Sequence, residues 1–388
     1  MMAGRAVRPE AKHVRIMVGC DAGFMTMGRV RNHEGDENLA SAMRKVVYLL
    51  GAGFSAPLGL PVIGNFYWKA KDLYDGNPEV FAHFAQSFSV MESFHRVKMF
   101  MNVELENIEE ILSILEMKDV LSSEPNRETF SRFICDVIRA YTPKIQLLQP
   151  VTKGNDRPAF PDFFGQDNHV LAAYGVFVSQ LFGVSSAKRT DDGWTLERGE
   201  TPVQYSVVSM NYDCVLEMAC DWIRREYAND DPGFSFFKPG QLTPRSKGAV
   251  MLAKLHGSID GDIVPPTWNK RIHEHILPAW RAAFTAVAEA NEIRFIGYSL
   301  PETDSYFRFF LKAAISQSFN LQRVDVLCLG NVGRRYEELF EGKRLRFRPG
   351  NTERYLVNLT SQANAIFEFD NAIRPNSLEV SHSNEFRE

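Results

Sequence analysis

Val46-Val47-Tyr48-Leu49-Leu50-Gly51-Ala52-Gly53-Phe54-Ser55-Ala56 is the stretch that decides the fold of this chain. Five apolar residues in a row, β-branched at the start, read as a short strand buried on both faces. Two glycines follow at once, and then residues that can open a helix. Gly51, Gly53 and Ala56 fit the G-x-G-x-x-G/A pattern, in which a strand, a tight turn and a helix start bring backbone N–H groups up to a pyrophosphate. An ordinary dinucleotide fold would continue with a helix, a second strand and an acidic residue ~20 positions on for the ribose. Asp72 and Asp75 lie near that distance, but Leu60 to Lys71 does not read as helix-then-strand. Pro61 and Gly64 predict a loop over the site instead. The plainer alternative is a glycine-rich connector with no ligand.

The same rhythm returns far downstream. Ser206-Val207-Val208-Ser209-Met210 reads as a buried strand that runs into Asn211-Tyr212-Asp213 and a helix from Cys214 to about Tyr227. Val250 to Leu255 is a further strand, leading to His256-Gly257-Ser258. A helix near Pro278 to Asn291 precedes the strand Ile293 to Ile296 and Gly297-Tyr298-Ser299. A helix over Ser305 to Ser316 precedes the strand Arg323 to Leu329 and Gly330-Asn331. Strand–helix alternation of this kind predicts an α/β fold, a Rossmann-like parallel sheet with helices on both faces.

Between the glycine turn and the returning strands lies a helical insertion, about 67–190. Val103, Leu105, Ile108, Ile111, Leu112 and Leu115 follow three-four spacing, as do Phe130, Phe133, Ile134, Val137, Ile138 and Tyr141. The glutamates between them, Glu104, Glu106, Glu109 and Glu110, read as a solvated face. Gln149 to Gly165 reads as a loop, Val170 to Phe182 as a helix and Ser185 to Thr201 as a charged loop. The expected division is an N-terminal arm over 1–43, a main domain over 44–340 and a C-terminal segment over 341–388. The arm and the C-terminal segment are candidate assembly contacts.

Composition narrows the class. At 388 residues, 45% hydrophobic and 24% charged, the chain has the make-up of a soluble globular protein with a full core. A net charge of −4 argues against a surface that coats nucleic acid. The five cysteines form no C-x-x-C pair, so neither a disulfide framework nor a structural zinc is expected. No apolar run approaches the ~20 residues of a membrane span, and no signal-peptide core is seen, so the expected location is cytoplasmic.

Every expected sheet strand ends in small or polar residues, and open α/β sheets bind ligands at the carboxyl ends of their strands. His256 is therefore expected at the crevice rim, where an imidazole can take a proton near neutrality; a hydrogen-bonded structural histidine is the alternative. Asn211 can orient a water or a ribose hydroxyl, or serve a turn. Asp213, Ser55 and Asp304 each read as helix caps or as ligand contacts.

GAGFSAPLGLP, SMNYD, KLHGS, IGYSLPETD and the late Gly330-Asn331 together resemble the bacterial sirtuin-like domains, in order and in approximate spacing, over roughly Val46 to Asn331. The resemblance implies that NAD+ is the substrate and that Asn211 and His256 are catalytic. It implies NAD+ contacts at Gly51, Ala52, Gly53, Ser55, Pro61, Asp213, Gly297, Ser299 and Asn331. Protein deacylases of the sirtuin type carry two zinc-binding cysteine pairs after the His-Gly motif, whereas here only Cys328 follows His256. The expected chemistry is then cleavage of the nicotinamide–ribose bond with water as acceptor, with no zinc.

Sirtuin-like proteins with this motif set and no zinc pairs resemble NAD+-depleting effectors of antiphage defence. Some of these work with a HerA-type ATPase, some with short Argonaute proteins, some with cyclic-nucleotide sensing domains. The resemblance favours a HerA-type partner and a homo-oligomer, with nucleic acid reached only through the partner and no membrane. The alternatives are a non-catalytic NAD+ or ADP-ribose sensor that controls a partner ATPase or nuclease, and, less favoured, an NAD-dependent protein deacylase.

Overall fold

A computed structural model of the chain describes residues 43–97, 107–122, 126–143, 169–190, 193–199, 201–226, 234–240, 248–264, 274–302, 304–340, 344–370 and 377–387. The expected arm over 1–43, Met43 excepted, and the expected loop over Gln149 to Gly165 lie outside them. From Met43 onward the chain forms one compact unit.

The glycine turn is preceded by the predicted strand, β1 (Arg44–Leu50). Its side chains alternate between two cores, as the pleat requires. Val46, Tyr48 and Leu50 enter one core, and Val47 and Leu49 the other. Six further strands complete the sheet: β4 (Val203–Ser209), β5 (Phe236–Phe237), β6 (Val250–Lys254), β7 (Glu292–Ile296), β8 (Arg323–Cys328) and β9 (Leu345–Pro349). The order is β5-β6-β4-β1-β7-β8-β9 and every pairing is parallel. The α/β class and the parallel sheet agree with the sequence reading. From β1 the chain first builds the β4 side and then crosses to β7 on the other side. A crevice opens where the order reverses, at the carboxyl ends of β1 and β7.

The first core is covered by the insertion, α2 (Ile63–Gly76), α3 (Phe84–Val97), α4 (Ile108–Ser122), α5 (Asn126–Tyr141) and α6 (His169–Leu181), together with α7 (Val215–Glu226), α11 (Thr352–Asp370) and α12 (Ser377–Glu385). The second is covered by α8 (Leu277–Glu289), α9 (Ser305–Ile315) and α10 (Gly333–Glu337). Of the remaining pieces, α1 (Ala52–Ser55) is one turn after β1, and β2 (Val184–Thr190) and β3 (Gly193–Arg198) form an antiparallel pair. Among the described residues no helix is long and apolar enough to cross a membrane. Cys135, Cys214, Cys220 and Cys328 are buried thiols without disulfide partners.

Three sequence expectations are corrected. The loop expected around Pro61 and Gly64 ends early: α2 starts at Ile63, because the Asn65 side chain accepts the Val62 N–H at 2.9 Å and so caps the first turn. Within the stretch Ser185 to Thr201, expected as a charged loop, the described residues form the β2–β3 pair, since pairing lets even a polar stretch satisfy its backbone groups.

The boundary expected at residue 340 is the third, for β9 is the seventh strand of the sheet. In register across β1, β7, β8 and β9 lie Tyr48, Arg294, Asp325 and Arg346, a polar seam on one face. Residues of α12 close it. Glu379 meets buried Arg294 at 2.6 Å, and His382 meets Asp325 at 2.8 Å. Buried charges demand such partners, so the last helices belong to the core.

Candidate active site

The glycine turn and the loop after β7 are pressed together. Gly51 N donates to Ile296 O at 3.1 Å, and Gly53 N to Gly297 O at 2.9 Å. A Cβ on Gly51 would stand 2.6 Å from the Tyr298 Cα, and one on Gly53 2.8 Å from Gly297 O. Gly297 itself has φ +66, and its absent Cβ would collide with the Phe54 N–H. These glycines serve backbone packing at the switch point, and thereby leave the turn open toward the crevice. Leu300 follows with φ 49, a conformation costly for a side-chain-bearing residue, fully buried just before Pro301.

The crevice is a cavity of about 540 Å³. Ala52, Gly53 and Pro61 line it after β1, Asn211 to Asp213 after β4, Gly297 to Ser299 after β7, and Cys328 and Leu329 at the end of β8. Asn351 to Glu353, at the start of α11, and Glu109 of α4 complete its polar wall. The volume falls within the range of pockets that bury a small-molecule ligand.

Asn211 is the best-placed polar side chain. Its Nδ2 donates to Gly51 O at 3.0 Å and to Ser55 Oγ at 3.1 Å, while its buried Oδ1 has no partner. The hydroxyl of neighbouring Tyr212 is likewise buried and unpaired. Ser55, buried beneath the turn, thus steadies Asn211 and is not itself part of the lining. Asp213 combines both predicted roles: it lines the cavity, and its Oδ1 accepts the Val215 N–H at 3.1 Å. Burial pushes its carboxyl up, opposed by the nearby Lys254 charge and a hydrogen bond with Ser55. Lys254 in turn donates to Asp213 O and, at 3.0 Å, to Ser258 Oγ in the loop after β6.

His256 does not sit at the crevice rim. It is 2% exposed and lines no part of the cavity. After β6 the chain turns at Gly257, with φ +79, and returns so that Val264 N donates to His256 O at 2.8 Å. The imidazole lies behind Tyr212 and beside Trp280, each ring 6.3 Å away, with Nε2 3.4 Å from the Asp304 carboxylate. Asp304 also accepts the Tyr298 hydroxyl at 2.7 Å and caps α9 through Phe307 N. Asn331 is exposed and outside the lining, because the turn at Gly330, φ +87, carries it past the cavity mouth. Of the residues expected to touch NAD+, Ala52, Gly53, Pro61, Asp213, Gly297 and Ser299 line the cavity, whereas Gly51, Ser55 and Asn331 do not.

Sequence reasoning missed Glu109 and the start of α11. Asn107 was the available signal for the first: its side chain accepts the Glu110 N–H at 3.2 Å, which starts α4 at Ile108 and puts Glu109 in the first turn.

Residues 205–347 match the family model of the SIR2-like domain. The matched segment runs from β4 to β9 and holds Asn211, His256 and Gly297. Strand β1 and its glycine turn precede it in sequence but fill the gap between β4 and β7. No curated protein matches the chain by sequence. Among solved structures, Sir2Tm bound to a propionylated peptide is 13% identical, over 84% of this chain and 92% of that one, with a TM-score of 0.32. A Sir2 complex with a p53 peptide and NAD+ is 14% identical over the same shares, with a TM-score of 0.31. The strand order, rather than these overlaps, defines the fold. Among the described residues no group of three or more His, Cys, Asp or Glu could hold a metal ion.

Proposed function

We propose that the protein is an NAD+ glycohydrolase that releases nicotinamide and ADP-ribose. The observation that carries this reading is the unpaired Oδ1 of Asn211, held at the switch-point cavity by the very glycine turn whose backbone can take a pyrophosphate. A buried acceptor without a partner costs stability unless a ligand or water completes it. The chemistry asks little more. The bond from nicotinamide to ribose already carries a good leaving group, and its transition state resembles an oxocarbenium ion. Positioning the ring and a water then supplies much of the rate.

The SIR2-like match supports the sirtuin-type reading of Asn211 and His256. The motif set, from the glycine turn to Gly330-Asn331, supports a finer proposal: an NAD+-depleting effector of antiphage defence, homo-oligomeric and controlled by a HerA-type ATPase. One observation favours a second reading, a non-catalytic NAD+ or ADP-ribose sensor. His256 is buried and is not among the residues that line the cavity.

Chromatography of NAD+ incubated with wild type, His256→Ala and Asn211→Ala, alone and with a candidate ATPase, separates the two. Nicotinamide and ADP-ribose from wild type, without acylated peptide, are expected. Intact NAD+ in every mixture, with binding by calorimetry, would leave the sensor standing.

A further inference from the structure

Three carboxylates line the cavity: Glu109, Asp213 and Glu353. Asp213 is engaged by Val215 N and Ser55. Glu353 is exposed, at the outer end where α11 begins. Glu109 comes from the helical insertion. It is half-buried in the first turn of α4, and its charge acts on the phenols of Tyr212 and Tyr298, adding to the effect of burial on both. Glu109 lines the same cavity as Asn211, whose Oδ1 is buried and unpaired. His256, the expected proton acceptor, does not reach this space.

We propose that Glu109, supplied by the helical insertion, is the catalytic general base of the cavity; this rests on the hydrolase reading. The bond between C1′ of the ribose and the pyridinium nitrogen breaks, and its electron pair neutralises the departing nicotinamide. A water oxygen gives a lone pair to C1′, and one water proton passes to the Glu109 carboxylate and then to solvent. Asn211 Oδ1 accepts the other hydrogen and orients that water. The carboxylate also faces the positive charge that develops on the ribose.

The test uses the full chain, in the preparation where wild type is active, and compares Glu109→Gln and Glu109→Asp. Glu109→Gln should lower kcat by about 100-fold or more, the usual size of a general-base contribution, with KM nearly unchanged. It should also lose the acidic limb of the kcat–pH profile. Azide, a nucleophile that needs no deprotonation, should restore nicotinamide release to Glu109→Gln, which loss of a structural role would not allow. If the glutamine variant does not fold, Glu109→Asp should keep the acidic limb with a reduced kcat, and an aspartate variant with unchanged kcat overturns the proposal. A folded Glu109→Gln with wild-type kcat overturns it while the hydrolase reading stands. No nicotinamide from wild type that binds NAD+ overturns both.

Discussion

Nε2 of His256 lies 3.4 Å from the carboxylate of Asp304, and both side chains are 2% exposed. A buried carboxylate this close fixes the orientation of the imidazole. The Tyr298 hydroxyl holds the same Asp304 oxygen at 2.7 Å, so the pair is fixed from the β7 loop. Asp304→Asn keeps the shape and removes the charge. Because Tyr298 lines the cavity and rests its hydroxyl on Asp304, the substitution should lower kcat for nicotinamide release by about 10-fold, or ~1.4 kcal/mol of barrier. NAD+ affinity by calorimetry should hold. An unchanged kcat would separate His256 from the chemistry.

Asn211→Ala tests the hinge between β4 and the glycine turn. It removes the donor to Gly51 O and Ser55 Oγ and leaves both buried. The expected loss is about 1–3 kcal/mol in urea denaturation, along with loss of turnover. Full stability with no turnover would make Asn211 purely catalytic.

Gly297→Ala should be far more damaging. The new methyl has no space against Phe54 N, and φ +66 disfavours any side chain. Loss of soluble, cooperatively unfolding protein is expected, whereas Gly64→Ala, where a Cβ meets nothing within 4 Å, should be tolerated. Equal yields of the two variants would contradict the close approach of the two turns.

The polar seam makes stability acid-sensitive. Burial, joined by the Arg294 charge, pushes the His382 imidazole down to about 4 from an ordinary 6.5, despite the pull of Asp325. Burial opposes ionisation of Glu379, yet Arg294 and its hydrogen bonds hold the carboxyl down to about 2 from 4.5. Asp325 is also held low, against burial, by Arg346 and His382. In each case the unfolded chain takes up protons first as pH falls. Stability should therefore decline from pH 6.5 toward 4 through His382, and more steeply below about 4.5 as the carboxylates join. Urea midpoints at pH 7, 5.5 and 4.5 check this, and His382→Gln should flatten the upper part of the slope.

Much of the fold was legible because it is written in local periods. The run Val46 to Leu50, the apolar strands near 206, 250, 293 and 323, and the stripes of α5 and α6 each announce themselves within a few residues. Short-range chemistry also explains the misses. Asn65 and Asn107 cap helices through contacts three residues away, and neither stands out in composition. Strand β5, two residues long, is too short to carry any period.

By itself the sequence determined strands β1, β4, β6, β7 and β8, most helices, the parallel arrangement and the glycine turn. Tertiary structure alone decided which groups face the cavity. Asn211 and Gly51 stand 160 positions apart, and Arg294 and Glu379 stand 85 apart, yet each pair is in hydrogen-bond contact. The burial of His256, the inward place of Glu109 and the inclusion of α12 in the core depend on such contacts. Alternation of apolar residues shows which face of an element is buried, but not which distant polar group waits against it.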